Sequence, residues 1–304
     1  MSLEIPFASI ILPVYNGENT LAATMESLLK QTYSKFELLI GIDGTTDNSK
    51  IIAQSFKDPR IKIIENPRNL GLANNLNKLI SLISPQSEFI AMAEQDDVYV
   101  PERLQWQVEV MLQHPQVGLV SGIAEFVDSK RKTLFPGILV YGKQFLQQVE
   151  LFKYLYVNQL KVVNTCMMIR KAVHTNNNLA FNNTYGNFNV DWDYVLRLSL
   201  VSQVYGIPKV LVHINRQVDR TSVTTNKWGQ FKASRKLIKD FKIHFPVLIT
   251  QKEYRAALKI CRKTELGYRN KWGILVFSIY YSLLYLDFDF FRYLISKAKR
   301  KPKK

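Results

Sequence analysis

The sequence predicts an α/β fold: a mostly parallel central sheet flanked by helices, with a helical basic extension after it. Three observations predict this. Short apolar runs alternate with amphipathic stretches over the first hundred residues, each apolar run ends in polar turn-forming residues, and the charge is segregated along the chain. Residues 1–226 hold 21 Lys+Arg against 20 Asp+Glu, whereas residues 227–304 hold 20 against 5, so nearly all of the net +16 lies in the last part.

In chain order, Ala8 to Val14, Phe36 to Asp43, Ile61 to Glu65 and Glu88 to Glu94 read as buried strands rich in β-branched and other apolar residues. Between them "LAATMESLLKQ", "NSKIIAQSF" and "LANNLNKLISLI" place apolar residues at helical spacing. The βαβα order implies a parallel sheet covered on both faces. Further on, "PERLQWQVEVMLQ" reads as a helix with Pro101 in its first turn, "QQVELFKYLYVNQ" as a helix and "NTCMMIR" as a strand. "NVDWDYVLRLSLVSQVYGIPKVLVHINR" reads as a helix from about Asp191, then a strand ending near Arg216, and "NKWGQFKASRKLIKDFKIHF" as a long basic helix.

The 304 residues, 47% hydrophobic, suffice for a sizeable core. Two distant cysteines, Cys166 and Cys261, supply neither a disulfide framework nor a thiolate zinc site and favour a reducing compartment. The N-terminal stretch has no basic region ahead of its apolar run, so a cytosolic start is expected. His114, His174, His213 and His244 have no partner at metal-ligand spacing and read as structural. The glycine patterns of dinucleotide and P-loop cradles are missing.

In parallel α/β sheets ligands bind beyond the carboxyl ends of the strands, where this chain has "YNGEN", "DGTTDNS", "NPRNLG" and "QDDVYVP". Glu94, Asp96 and Asp97 bring three carboxylates together, an arrangement that a divalent cation carrying phosphate would hold. The same acids, with Glu102, also fit the start of the helix that follows. Asp43 can accept hydrogen bonds from a base or ribose, or serve turn chemistry with Gly44, and Asp47 or Asn48 reads as the next N-cap. Asp191 and Asp193 suit either a general base or a favourable first helical turn.

"SIILPVYNGENTL", "IDGTTDNS", "NPRNLGLANNLN" and "EQDDVYVPERL", in that order and spacing, resemble the nucleotide-binding half of family 2 glycosyltransferases of the GT-A fold, of the bacterial surface-glycan type. The resemblance covers about residues 5–225. It implies a nucleotide-sugar-binding half over about 5–115 and an acceptor half over about 116–225, with residues 226–304 as the basic helical extension. It implies that Pro13, Tyr15 and Glu18 lie against the nucleoside, that Asp43 binds base or ribose, and that Asn69 and Arg216 lie in the nucleotide-sugar site. Asp96, with Asp97 and Glu94, matches the metal-binding carboxylates, implying Mg²⁺ or Mn²⁺, and Asp191 matches the catalytic base, with Asp193 as the fallback. The chain departs from the pattern at Glu94 (usually Asp), Leu76 (often Arg), Val190 (usually Glu) and Val218 (usually His), with Arg220 available as a replacement charge.

The function implied is inverting transfer from a nucleotide-diphosphate sugar, most commonly a UDP-sugar, to a glycan or lipid-linked acceptor. The alternatives are a sugar-1-phosphate nucleotidyltransferase, whose Gly-rich Arg/Lys loop the sequence lacks, and a non-catalytic nucleotide-sugar or membrane-binding scaffold. "WGILVFSIYYSLLYL" is too short to span a bilayer, and beside clustered Lys and Arg it suits an anionic membrane interface or a packed helical hairpin. The location expected is cytoplasmic, peripheral at the inner face of the membrane. Nucleic acid is not expected, since no reader module is recognisable.

Overall fold

The computed structural model describes residues 5–127, 132–135, 147–159, 162–215 and 226–298. They fall into two units, residues 1–155 with 159–225, and residues 156–158 with 226–304.

The first unit begins β1 (Phe7–Val14), α1 (Leu21–Leu29), β2 (Phe36–Asp43), α2 (Ser49–Ser55), β3 (Ile61–Asn66), α3 (Leu72–Ser81) and β4 (Ser87–Met92). β2 pairs in parallel with β1 and β3, and β1 pairs in parallel with β4. Every residue of β2 is buried, as a strand covered on both faces requires. Leu21, Met25 and Leu28 put the apolar stripe of α1 onto the core formed by Ile10, Leu12, Leu38, Ile40 and Phe89. Each such side chain contributes about 1.5–3 kcal/mol on burial.

The chain continues with β5 (Asp97–Tyr99), α4 (Arg103–Gln113), β6 (Val117–Val127), β7 (Lys132–Phe135), α5 (Gln148–Asn158), a 3₁₀ turn (Asn164–Cys166), β8 (Met168–Arg170), α6 (Lys171–Asn176), β9 (Thr184–Asn187), α7 (Val190–Val201) and β10 (Gln203–Asn215). The sheet runs β3-β2-β1-β4-β8-β6-β10-β5, with β7 on β6. The long pairings are parallel, including β6 with β10, and the short strands β5, β7 and β8 pair antiparallel.

Three local expectations are corrected. Pro101 lies in a turn and α4 starts at Arg103, with no acid in its first turn, so Asp96 and Asp97 are not its cap. Instead Asp97 opens β5, whose three residues pair with β10. Only Met168–Arg170 of "NTCMMIR" is strand, because Asn164–Cys166 tightens into a 3₁₀ turn.

The second unit contains α8 (Lys227–His244), α9 (Gln251–Leu266), α10 (Lys271–Tyr285) and α11 (Asp289–Ala298). Its helices start where the sequence offers caps: Asn226 and Asn270 accept from Gly229 and Gly273 N–H, and Thr250 forms a capping box with Glu253. Inside, Leu266, Tyr281 and Phe290 form a small core. The buried Glu265 carboxylate is held by Arg235 at 2.5 Å, Arg269 at 2.8 Å and Arg262 at 3.0 Å. Arg269 lies 3.6 Å over the Phe277 ring and Arg262 5.1 Å over Tyr281, so the excess charge rests on aromatic faces. Among the described residues no helix is long and apolar enough to cross a membrane.

Candidate functional site

The loops after β1, β2, β3 and β4 meet beyond the carboxyl ends of these strands, and their polar side chains bond one loop to the next. Between the first two, Asn16 Oδ1 accepts from Thr45 Oγ1 and Thr46 N–H at 2.9 Å, Glu18 N–H donates to Asp47 Oδ2 at 2.9 Å, and Gly17 N–H donates to Ser49 Oγ at 2.8 Å. Burial alone would raise the Asp47 pKa, but hydrogen bonds from Ser49, Thr45 and Glu18 N–H outweigh it and bring it down to about 2. The Glu18 carboxylate is taken up by Asn48, whose N–H and Nδ2 donate to Oε2 at 3.1 and 2.9 Å.

Asp43, 3% exposed, ties β2 to the loop after β3. Its Oδ1 accepts from Asn66 Nδ2 at 2.8 Å and Leu70 N–H at 2.9 Å, and its Oδ2 from Gly71 N–H at 3.1 Å. A carboxylate has about four acceptor positions, so these bonds leave room on Oδ2 for one more. Gly44 turns with φ +62°, and a Cβ there would stand 2.4 Å from Asn69 N and 2.5 Å from Arg68 C. Only glycine allows this approach. Asn69 Oδ1 accepts from Gly71 N–H at 2.8 Å, Pro13 stands in β1 opposite Gly41, and Leu76 is buried on α3.

The loop after β4 carries the carboxylate cluster. One oxygen from each of Glu94, Asp96 and Asp97 lies within 4.8 Å of the others. Sequence reasoning missed the residues that hold them. The Gln95 side chain pairs with the Tyr15 backbone, accepting from its N–H at 2.8 Å and donating to its carbonyl at 2.9 Å. Thr24 Oγ1 donates to the carbonyls of Gln95 and Asp97. Asn164 Nδ2 donates to Glu94 Oε1 at 2.7 Å, and Glu94 N–H donates to Tyr99 Oη at 2.7 Å, which also bonds Thr165 Oγ1. Fully buried Arg103 donates to the Met92 carbonyl at 2.5 Å and to Gln107 Oε1 at 3.1 Å, with its guanidinium 4.5 Å over the Tyr99 ring. Burial lowers its pKa, while the neighbouring Tyr99, Cys166 and Asp97 oppose that shift, so a buried cation offsets part of the acidic charge. Only the "R" inside "PERLQ" signalled it.

Three carboxylates at this spacing form a hard oxygen donor set of the kind that Mg²⁺ or Mn²⁺ takes together with phosphate oxygens and water. The residues fit such an ion.

At the start of α7 the two acids have separate fates. Asp193 is buried and bonded through Oδ2 to Arg197 at 2.6 Å and Asn182 at 3.1 Å. Asp191 is the one residue between Val190 and Leu196 that keeps part of its surface in solvent. Its Oδ1 accepts from Trp192 N–H at 2.9 Å. Desolvation raises its pKa above the ordinary carboxylate value against the pull of that bond. The helix is anchored by Trp192 Nε1 on the Leu155 carbonyl at 3.1 Å and by Tyr194 stacked on Phe181 at 4.2 Å. Arg216, Val218 and Arg220 lie outside the described residues.

Residues 9–176, more than half of the chain, match the model for "Glycosyl transferase family 2". The chain belongs to glycosyltransferase family 2. Among its relatives is WfgD of Escherichia coli, a UDP-Glc:alpha-D-GlcNAc-diphosphoundecaprenol beta-1,3-glucosyltransferase, 33% identical over 138 residues that cover 44% of this chain and 53% of WfgD. EpsE of Bacillus subtilis is 38% identical over 112 residues, covering 36% of this chain and 40% of EpsE. The family 2 chain thus spans about half or less of the length of these two relatives. Its fold is that of GT-A glycosyltransferases. The crystal structure of S. aureus TarS 1–349 with UDP-GlcNAc superposes with a TM-score of 0.61 at 13% identity, over 96% of this chain and 92% of that one. The mannosyltransferase PcManGT of Pyrobaculum calidifontis, in complex with GDP-Man and Mn²⁺, gives 0.56 at 13% identity, over 97% and 85%.

Proposed function

We propose that the chain transfers a sugar from a nucleotide-diphosphate sugar to an acceptor hydroxyl with inversion, in the synthesis of a surface or lipid-linked glycan. The observation that carries this reading is the gathering of Glu94, Asp96 and Asp97 beyond β4, on a loop stapled to that after β1, which is bonded in turn to the loop after β2. A Mg²⁺ or Mn²⁺ ion held there by these three residues would offset the charge on the departing diphosphate. Asp43, through its remaining acceptor position, and the Tyr15 loop are assigned to the nucleoside, with Pro13, Glu18 and Asn69 shaping that wall, and Arg216 is assigned to the nucleotide-sugar from its match in sequence.

Asp191 takes the acceptor hydroxyl's proton as the new bond forms, a role that its raised pKa and its access to solvent both support. Asp193 is given to Arg197 and Asn182, so the fallback base is not needed. Direct displacement needs no covalent intermediate and inverts the anomeric centre.

Uridine as the base is supported by the UDP-glucose in the name of WfgD and by the UDP-GlcNAc complex of TarS, and WfgD's lipid-linked acceptor supports an acceptor of that class. The place of action proposed is the cytoplasmic face of an anionic membrane, supported by the basic second unit. The test is a panel of nucleoside diphosphates and nucleotide sugars with and without Mn²⁺, read by thermal shift, followed by a transfer assay with the stabilising donor. A cation-dependent rise for UDP and its sugars, with transfer that Asp191→Asn abolishes, is expected. Binding without transfer to any acceptor would assign the chain to a non-catalytic role, and pyrophosphate release from a nucleoside triphosphate to a nucleotidyltransferase.

A further inference from the structure

We infer that one continuous face of α10 and α11 is a membrane-docking surface, on which the helical unit lies in the interfacial plane of an anionic bilayer. The inference rests on the peripheral location proposed above and gives it a surface. On α10, Trp272, Val276, Ile279 and Leu283 follow one another at spacings of four, three and four, so they share one stripe, and all four are exposed. Tyr281, on the opposite side of the helix, is buried among Leu266 and Phe290. The helix has therefore satisfied its own unit with one face and leaves a second apolar face uncovered.

The stripe continues past the helix end. Leu286 and Phe288 are 88% and 77% exposed, and Phe291 and Ile295 extend it along α11. Leu286 adopts a left-handed conformation, φ +49°, a position that glycine fills more easily. At that exposure a leucine held there buries little in this chain, so the fold itself offers its side chain small compensation. A contiguous exposed apolar surface of this kind marks an interaction site.

Charge selects the occupant. The two acids of the hairpin, Asp287 and Asp289, are both bound by Lys259, and hydrogen bonds from this lysine hold both carboxyls below the usual range. The described flanks of the apolar face are basic, with Lys271 preceding it and Arg292 exposed on α11, and in sequence alone Lys297 to Lys304 adds six Lys/Arg in eight residues. Aliphatic and aromatic side chains rimmed by cations suit acyl chains beneath anionic headgroups. Fifteen residues of helix reach about 22 Å at 1.5 Å per residue, short of the roughly 30 Å hydrocarbon core, so α10 lies in the interface and does not cross it.

The test is partition of the full chain onto phosphatidylcholine vesicles with and without phosphatidylglycerol, at low and high salt. Binding to the anionic vesicles that persists in part at high salt is expected, and Leu283→Glu with Phe288→Glu should weaken it about tenfold or more, since apolar burial supplies the salt-resistant part. Circular dichroism and the melting midpoint of the double variant report its fold. As a readout that needs no folded charge variant, brominated lipid should quench the wild-type tryptophan emission and quench Trp272→Phe much less. Vesicle binding that the double variant retains and high salt abolishes would overturn the docking face while keeping the peripheral location. Absence of binding to any vesicle would overturn both. Association of the chain with itself that the double variant disperses, without vesicle binding, would assign the face to a second copy and overturn the inference.

Discussion

Asp191 and Asp193 stand two positions apart in the first turn of α7, and their surroundings separate them. Arg197 and Asn182 occupy Asp193, whereas Asp191 keeps solvent access and a raised pKa. Because folding favours the protonated form of Asp191, the folded state binds its proton more tightly than the unfolded chain, and ionising it costs stability as pH rises above the ordinary carboxylate value. Transfer should therefore fall as pH drops through that raised pKa. Asp191→Asn should lower kcat by about 10²–10⁴-fold and remove this acid limb, while raising the melting midpoint slightly at neutral pH. Asp96→Asn should weaken Mn²⁺ binding about tenfold or more by calorimetry with the fold unchanged, since it removes one of the three clustered carboxylates proposed to hold the ion. At this scale the sequence named both acids, and the family resemblance put Asp191 first with Asp193 as the fallback. By spacing alone Asp191 and Asp193 are equivalent first-turn residues, and what separates them is Arg197, one turn on, and Asn182, in the stretch that precedes the helix.

The loop elements work by mutual constraint. Gly44 lets the turn after β2 pass against Arg68 and Asn69, so Gly44→Ala should destabilise the protein by about 1–3 kcal/mol in denaturant unfolding and weaken nucleotide binding with it. In β2, the buried Glu37 accepts from Ser9 Oγ at 2.5 Å and from Ser84 N–H and Oγ, and pairs with Lys62 at 2.6 Å. Burial would raise its pKa, but the bonds from Lys62, Ser9 and Ser84 prevail and depress it. Its contribution is thus present above the unfolded carboxylate pKa and lost as pH falls through the lower folded value. Glu37→Gln should lower stability by about 1–3 kcal/mol at neutral pH, and the gap to wild type should narrow in acid. The four leading strands and their helices were legible because each apolar run is short and closed by turn residues. β5 was not legible: Asp97–Tyr99 is three residues long, and its strand character comes from β10, more than a hundred residues away. Pro101 suggested a helix start for a local reason, and pairing of the preceding residues with β10 displaced that start to Arg103.

Over the whole molecule, a donor nucleotide at a hundred times its Kd should add about 2.7 kcal/mol to the stability of the unit that binds it, a shift of several degrees in its melting midpoint that a chelator abolishes. The helical unit should not share that shift if the two unfold separately, and calorimetry would resolve two transitions. The sequence by itself determined the α/β class, the family and the segregation of positive charge into residues 227–304, because periodicity, turn chemistry and composition are local properties that survive without coordinates. The tertiary structure decided which side chains meet: Gln95 with the Tyr15 backbone, Asn164 with Glu94, Arg103 within electrostatic reach of Asp97, and the apolar face of α10 left without a partner in its own unit. The physical reason is that burial and pairing set the state of an acid or an apolar side chain, and both depend on segments that only folding brings within a few ångströms.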